Sequence, residues 1–120
     1  MRIAVIGAGS VGRSLATATE RLGHDVVVGV RDPDDPRHAD LASRATPAEA
    51  AAGADLVVLA VPAAAVADAV AGLALAPPTI VVDATNAVGA PPPGGHPTMG
   101  AYTRSLVAPE VPVVKAFNTI

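Results

Sequence analysis

The stretch Ile3-Ala-Val-Ile-Gly7-Ala-Gly9-Ser10-Val11-Gly12 decides the fold of this chain. Three of the four residues from Ile3 to Ile6 are β-branched, and such an apolar run is typical of a parallel strand that is covered on both faces. Glycines 7, 9 and 12 follow at once, in the G-x-G-x-x-G spacing that joins such a strand to a helix. The stretch therefore predicts a strand, a tight turn and a helix in immediate succession.

Each of the three glycines answers a separate steric need of a phosphate-binding turn. Gly7 permits the tight turn out of the strand, Gly9 removes a side chain where the backbone must approach a pyrophosphate, and Gly12 lets the helix lie close to the sheet. The unpaired N–H groups of the first helical turn would then face the phosphates, aided by the helix dipole. The motif predicts a dinucleotide site; the alternative is an α/β unit whose turn merely happens to be glycine-rich.

The residues after the turn complete a strand, helix and strand unit. Val11, Leu15, Ala18 and Leu22 recur at helical spacing and predict the apolar stripe of an amphipathic helix. Gly23 is then a helix stop, and residues 25–30 supply a second apolar strand. This succession within 30 residues is the context in which the glycine spacing becomes informative.

The second strand ends at Arg31-Asp32-Pro33, the position that selects the cofactor. An acidic residue at this tip would hold the ribose 2′-hydroxyl of NAD, whereas an arginine accommodates the 2′-phosphate of NADP. Arg31 comes first and its guanidinium suits a phosphate, while Arg37, His38 or Arg44 could add positive charge, so the sequence favours NADP. The alternative is a solvated Arg31 followed by Asp32 as an ordinary turn former before Pro33.

Composition narrows the functional classes. The chain has 120 residues, 51% of them hydrophobic and 16% charged, which fits one globular α/β domain. A net charge of −3 and only two aromatic residues argue against nucleic-acid binding. Without cysteine, disulfides, thiolate metal sites and a cysteine nucleophile are excluded, and no apolar run is long enough to span a membrane. We expect a cytoplasmic protein with no metal.

The remaining pattern predicts a doubly wound, Rossmann-type parallel sheet of order 3-2-1-4-5-6 with a weak third strand. Residues 46–49 have the form of a helix start, with Thr46 as cap and Glu49 three residues later. Pro62 suits the first position of an alanine-rich helix. The other predicted elements are short helices at 37–44, 63–71 and 99–108, and strands near 44–46 and at 55–61, 79–83 and 111–114.

The carboxyl ends of the predicted strands bring further site candidates to one edge. In an open α/β sheet, ligands bind at the crevice beyond these ends, so Val61 and Pro62 should line the cofactor site by backbone and apolar contact. Asn86 could hydrogen-bond a carboxamide or a ring carbonyl, or simply begin a loop. The proline-rich loop 87–97 could be a lid or a connector, and its His96 is the histidine expected to be able to reach the site.

Taken together, these motifs resemble the N-terminal domain of the NADP-dependent oxidoreductases that use coenzyme F420, an 8-hydroxy-5-deazaflavin. The resemblance covers nearly the whole chain, in the opening glycine motif and in four further blocks: Val28-Gly-Val-Arg31, Ala54-Asp-Leu-Val-Val-Leu-Ala-Val-Pro62, Val82-Asp-Ala-Thr-Asn86 and Val113-Val-Lys-Ala-Phe-Asn-Thr-Ile120. It implies direct hydride transfer between NADPH and the deazaflavin, which needs alignment and exclusion of water more than an acid or base. No catalytic side chain is therefore expected.

The resemblance also implies roles for individual residues. The pyrophosphate would lie against Gly7, Gly9, Ser10, Val11 and Gly12, and the 2′-phosphate against Arg31. The nicotinamide would be surrounded by Val61, Pro62, Asn86 and the segment from Ala116 to Thr119, which includes Asn118. Lys115 is interpreted as a solvated lysine at the end of a strand.

Two departures from the family pattern keep other functions open. Val30 stands where the family commonly has a small hydroxyl residue, and a further region that builds much of the deazaflavin pocket is missing after residue 120. One alternative is thus a non-catalytic NAD(P)-binding module acting in sensing or partner control. Another is an oxidoreductase with a different substrate, like those of pyrroline-carboxylate reductases or 3-hydroxyacid dehydrogenases. We expect a continuation of the chain, or a second copy in a homo-oligomer, to cover the last strand.

Overall fold

The computed structural model describes residues 1–117 and contains a six-stranded parallel sheet in the order β3-β2-β1-β4-β5-β6. This confirms the predicted α/β fold class and strand order. Asn118, predicted as a cofactor contact, lies outside the described residues. The strands are β1 (Arg2–Ile6), β2 (Asp25–Gly29), β3 (Arg44–Ala45), β4 (Leu56–Leu59), β5 (Ile80–Asp83) and β6 (Val113–Lys115), and the helices are α1 (Ser10–Arg21), α2 (Pro47–Ala51), α3 (Val66–Ala71) and α4 (Met99–Leu106).

The strand that precedes the glycine motif lies at the centre of the sheet. β1 pairs with β2 on one side and with β4 on the other, so that Val5 lies between Val28 and Val58. Both Ala4 and Val5 are completely buried, because α1 covers one face of the sheet while α2, α3 and α4 cover the other. This two-sided burial is why the strand is apolar at every position from Ile3 to Ile6.

The buried face of α1 differs from the predicted one. Gly12 and Ala16 are its buried residues, whereas Val11 is 41% and Leu22 is 76% exposed, and Ala18 is also exposed. The predicted stripe is confirmed only at Leu15, which packs against the core. It was wrong at the other positions because it counted large apolar side chains, while the closest contact uses small residues that let the helix backbone approach the sheet. Val11 is thereby left facing outward beside the glycine-rich turn.

Two predicted helices are shorter than expected. The crossover between β2 and β3 contains only one 3-10 turn, Pro36–His38, where a helix over 37–44 was predicted. After β4 the chain forms a 3-10 turn, Ala63–Ala65, and α3 begins only at Val66. Pro62 is the N-cap residue of the 3-10 turn and not, as predicted, the first residue of an α-helix. The capping box of α2 is confirmed, since Thr46 accepts from the Glu49 N–H and the Glu49 carboxylate accepts from the Thr46 N–H.

In the part of the chain that the structure describes, no helix combines the length and apolarity needed to cross a bilayer.

Candidate functional site

The turn between β1 and α1 can be formed only by glycine at two of its three motif positions. Gly7 has φ +112°, and a Cβ atom there would lie 2.3 Å from the Ala60 carbonyl oxygen. A Cβ on Gly12 would lie 2.3 Å from the Gly7 carbonyl oxygen. Both distances are far below contact distance, so these glycines let the turn and the helix lie directly against the end of β4.

Gly9 differs from the other two glycines because its missing side chain faces open space. Its φ of −78° is ordinary for any residue, and nothing lies within 4 Å of the position that a Cβ would occupy. Folding alone therefore does not require glycine here. The remaining reason for glycine at this position is that a ligand can reach the main chain there.

The main chain at this point carries free hydrogen-bond donors. Gly9 is the N-cap of α1 and supplies no side-chain acceptor, and the first turn contains no acidic residue. The Arg13 N–H donates to the Gly9 carbonyl at 3.0 Å and closes the first turn. The N–H groups of Ser10, Val11 and Gly12 precede that bond and have no partner within the helix. With the positive end of the helix dipole, they form a site suited to an anion.

Two grooves meet at this turn. The first, of about 480 Å³, runs from the turn across the end of β2 toward α3; the second, of about 230 Å³, runs across the ends of β4 and β5. Val61 lines both grooves, and the glycine-rich turn lies between them. The first groove is lined by Gly7, Ala8, Val30, Arg31, Arg37, His38, Thr46, Ala65, Asp68 and Ala69 among others, and the second by Gly9, Ser10, Val11, Ala60, Val61, Pro62, Ala84, Thr85, Asn86 and Val88.

The first groove has a basic wall. Arg31 lines it, is exposed, and takes part in none of the ion pairs of residues 1–117. Arg37 lines it too, but its guanidinium is paired with Asp35 at 2.7 Å, and this contact lowers the pKa of Asp35 to about 2. Arg37 thus has a carboxylate partner that an incoming anion would have to displace, while Arg31 has none.

Arg44 and Asp32, which were also predicted near the cofactor's ribose, instead make hydrogen bonds within the crossover loop. Arg44 is not among the lining residues; its guanidinium donates to the carbonyls of Pro33 at 2.6 Å and Leu41 at 2.8 Å, and so holds the crossover loop. Asp32, the alternative that would indicate NAD, is also absent from the lining. Its carboxylate accepts from the Asp34 N–H at 3.1 Å, in the manner of an aspartate that begins a turn.

The ends of β5 and β6 hold a buried polar cluster that the sequence analysis missed. Asp83 is fully buried, and its Oδ1 accepts from the Thr85 N–H at 2.8 Å and the Thr85 hydroxyl at 2.5 Å. Lys115 Nζ lies 3.5 Å from the same oxygen and donates to the Thr85 carbonyl. The interpretation of Lys115 as a solvated lysine was wrong, because it is the counter-ion of a buried carboxylate.

A signal for this cluster was present in the sequence. Asp83 ends an otherwise apolar strand, and the sheet pairs it in register with Lys115. Opposite charges at the matching ends of two neighbouring strands indicate an ion pair. The cluster fixes the backbone that leads from β5 to Asn86, which lines the second groove.

The loop after β5 adds a third cavity beside the second groove. This cavity of about 400 Å³ shares Pro62, Asn86 and Val88 with the second groove and extends to Pro91 and Pro93. His96 lines none of the cavities described here; its ring lies 5.6 Å from that of Tyr102, on α4. The histidine brought to the first groove is instead His38.

Ala116 follows β6 directly and is tied to the neighbouring strand. Its N–H donates to the Asp83 carbonyl at 3.0 Å, which keeps the chain beside β5 at the carboxyl edge. Ala116 lines none of the grooves described above. Residues 1–117 contain no group of three or more histidine, aspartate or glutamate side chains placed to hold a metal ion.

Comparisons with known proteins give one family match. Residues 2–87 match the family described as NADP oxidoreductase, coenzyme F420-dependent. No protein of curated function matches the chain.

Several solved structures share the fold. A protein from Arthrobacter sp. FB24, provisionally described as an F420-dependent NADP reductase, is 35% identical with a TM-score of 0.77, and the match covers 100% of this chain and 63% of that one. A hypothetical protein from Sinorhizobium meliloti is 33% identical with a TM-score of 0.80, covering 100% and 62% of the two chains. The reductive aminase of Aspergillus terreus, solved with NADPH4, cyclohexanone and allyl amine, shares the fold at 22% identity and TM-score 0.65, covering 95% and 39%. The chain thus spans less than two thirds of the length of these relatives.

Proposed function

This chain belongs to the family of coenzyme F420-dependent NADP oxidoreductases, and from that premise we propose that it is the NADP-binding part of such an enzyme, or the enzyme itself. The proposed reaction is hydride transfer between NADPH and coenzyme F420 or another flavin-like acceptor. Family membership supports an NADP-binding oxidoreductase domain. The identity of the acceptor is the finer part of the proposal.

The observation that carries the proposal is the open main chain at Gly9. The N–H groups that begin α1 have no partner in the helix, nothing lies within 4 Å of the position that a Cβ on Gly9 would occupy, and the turn lies between two grooves. A dinucleotide has the matching shape, since its pyrophosphate is central and its two nucleoside ends diverge. The residues present therefore fit NADP.

The basic wall of the first groove supports the choice of NADP over NAD. Arg31 offers a guanidinium with no ion-pair partner among residues 1–117, and its planar donors match a phosphate. Arg37 stands beside it as a second cation, held back by Asp35. We propose that Arg31 is the main contact of the 2′-phosphate.

The second groove is suited to holding a nicotinamide ring. Bound NADPH supplies the hydride, and the chain needs to orient the ring and exclude water around it. Val61 and Pro62 offer an apolar wall, and the amide of Asn86 can hydrogen-bond a carboxamide. The adjoining cavity at Pro91 and Pro93 leaves room for the acceptor at the same edge.

Replacing Arg31 by alanine tests the proposed choice of cofactor. We expect the wild type to bind NADPH more tightly than NADH, and the substitution to remove about 1–3 kcal/mol of that preference, the range of a charge-assisted contact. Calorimetric titration with each cofactor measures the effect. Arg21→Ala is the control, because it removes an equal charge from the last turn of α1. Equal binding of both cofactors by the wild type would contradict the assignment of NADP.

A second proposal is a non-catalytic NAD(P)-binding module that acts in sensing or partner control. The second groove is compatible with it, since its lining residues include no titratable side chain and direct hydride transfer needs none either. Mixing the protein with NADPH and oxidised deazaflavin separates the two. We expect the absorbance of NADPH and that of the oxidised deazaflavin to fall together as hydride is transferred; tight NADPH binding without turnover would favour the module.

Location and assembly are also proposals. The absence of cysteine is compatible with a cytoplasmic protein. β6 is the last strand of the sheet and Val114 is 50% exposed on it, so a second copy of the chain or a further segment could cover this edge.

A further inference from the structure

Arg13 joins two parts of the first groove that no described secondary structure connects. Its Nε donates to the Ala8 carbonyl at 2.8 Å, within the glycine-rich turn. One terminal nitrogen donates to the Arg37 carbonyl at 2.9 Å, and the other forms an ion pair with Asp40. One side chain thus holds the proposed pyrophosphate turn and the basic wall at a fixed separation.

The basic wall depends on side chains for its position. The backbone hydrogen bonds of residues 32–41 described here all run within that segment, such as Asp35 N–H to Asp32 and His38 N–H to Asp35. Arg44 ties the segment to β3, and Arg13 ties it to the turn. Without a crossover helix, these two arginines and the packing of Leu41 against the core beside α1 set where Arg37 and its neighbours lie relative to α1.

The charge of Arg13 already has a carboxylate partner at the protein surface. Asp40 is its partner, and the hydrogen bond from Arg13 lowers the pKa of that carboxyl. Arg13 is not among the residues that line either groove of the proposed dinucleotide site. Its effect on a bound phosphate would therefore come through the backbone that it positions, not through direct attraction.

We propose that Arg13 is a positioning residue for cofactor choice: by holding the Ala8 and Arg37 carbonyls together, it sets the span between the pyrophosphate and the 2′-phosphate and so favours NADPH over NADH. The inference rests on the proposed function. If Arg13 only stabilised the fold, its loss would weaken the binding of NADPH and of NADH to the same extent. The turn is also held by its own main chain, since the Gly7 N–H donates to the Gly29 carbonyl at 3.0 Å. We therefore expect loss of Arg13 to displace Arg37, on the side of the 2′-phosphate, more than the turn that both cofactors contact.

The test compares NADPH and NADH binding by calorimetry in Arg13→Met and Arg13→Lys. For Arg13→Met we expect NADPH to bind about tenfold more weakly, the loss of roughly one charge-assisted hydrogen bond, while NADH changes by less than about twofold. Arg13→Lys keeps a charge near Asp40 but has a single nitrogen for both carbonyls. Its NADPH-to-NADH preference should fall to an intermediate value.

Arg104→Met is the matched control. Arg104 also donates to backbone carbonyls, those of Val107, Ala108 and Val111, but at the far end of α4. We expect it to lower stability without changing the preference between the two cofactors. Amide hydrogen exchange of the free proteins gives a second readout: the amides of residues 37–40 should exchange faster in Arg13→Met than in the wild type or in Arg104→Met.

The outcomes separate the inference from its premise. The inference alone is overturned if folded Arg13→Met keeps the wild-type preference for NADPH over NADH, or if it binds both cofactors more weakly by the same factor. If Arg13→Met does not fold, Arg13→Lys decides in the same way. A wild type that binds both cofactors equally overturns the proposed function together with this inference.

Discussion

Lys115→Met is expected to lower the free energy of unfolding by about 3–5 kcal/mol, because it leaves a buried carboxylate without its counter-ion. Asp83 is fully buried and its second carboxylate oxygen has no hydrogen-bond partner among the described residues. Lys115, with a side chain 27% exposed, is its only ion-pair partner among residues 1–117. The loss would be a large fraction of the 5–15 kcal/mol typical of a domain.

The size of this effect should depend on Asp83. In Asp83→Asn the charge is gone while an oxygen remains to accept from Thr85, so we expect a loss of about 1–2 kcal/mol. The double variant Asp83→Asn/Lys115→Met should be more stable than Lys115→Met alone, since no buried charge is left unpaired. Urea unfolding followed by circular dichroism measures each value. Arg21→Met is the control for loss of an exposed cation.

A loss below about 1 kcal/mol for Lys115→Met would contradict this account, because that is the range of a surface ion pair. It would restore the interpretation of Lys115 as a solvated residue at the end of a strand.

The parts of the fold that follow from local pattern were predictable. β1 from Ile3 onward and β4 are buried on both faces, so their sequences there are continuously apolar. Thr46 and Glu49 interact within one turn, so their spacing alone predicts the capping box. The burial of Gly12 followed from the glycine spacing, but the rest of the buried face of α1 was not predictable from hydrophobicity, because it centres on the small residue Ala16.

The candidate site was predictable where the backbone forms it and not where side chains from distant segments form it. The glycine spacing locates the turn, and Arg31 follows from its position after β2. By contrast, the link from Arg13 to Arg37 spans 24 residues and the pair Asp83–Lys115 joins two strands. The first depends on the packing of the crossover loop, which the sequence pattern does not specify. For the second, the opposite charges at two strand ends were a signal, but sheet register decides which residues pair.

Gly9→Val is expected to abolish dinucleotide binding while leaving the fold intact. At φ −78° valine is allowed, and nothing within 4 Å opposes its Cβ, so the stability cost is that of a poorer N-cap, at most about 1 kcal/mol. The side chain would cover the N–H groups that begin α1. We expect NADPH binding to weaken by about 100-fold or more, which corresponds to roughly 2.7 kcal/mol.

Position 9 is chosen because a side chain there should affect cofactor binding without affecting folding. A Cβ on Gly7 or Gly12 would lie 2.3 Å from a backbone oxygen, so substitutions at those positions would lower stability and cofactor binding together. Gly100→Ala is the matched control: its Cβ would meet only ordinary contacts, at 3.7 Å and beyond, and it lies in α4, away from the grooves. It should bind NADPH as the wild type does. Gly9→Ala, with a smaller side chain, should give an intermediate affinity.

The most direct test of whether bare main-chain amides at the start of α1 hold the cofactor is calorimetric titration of NADPH into Gly9→Val, paired with its urea unfolding curve. We expect wild-type stability within about 1 kcal/mol and no measurable heat of binding at concentrations that saturate the wild type. A Gly9→Val protein that binds NADPH with wild-type affinity would contradict the central claim.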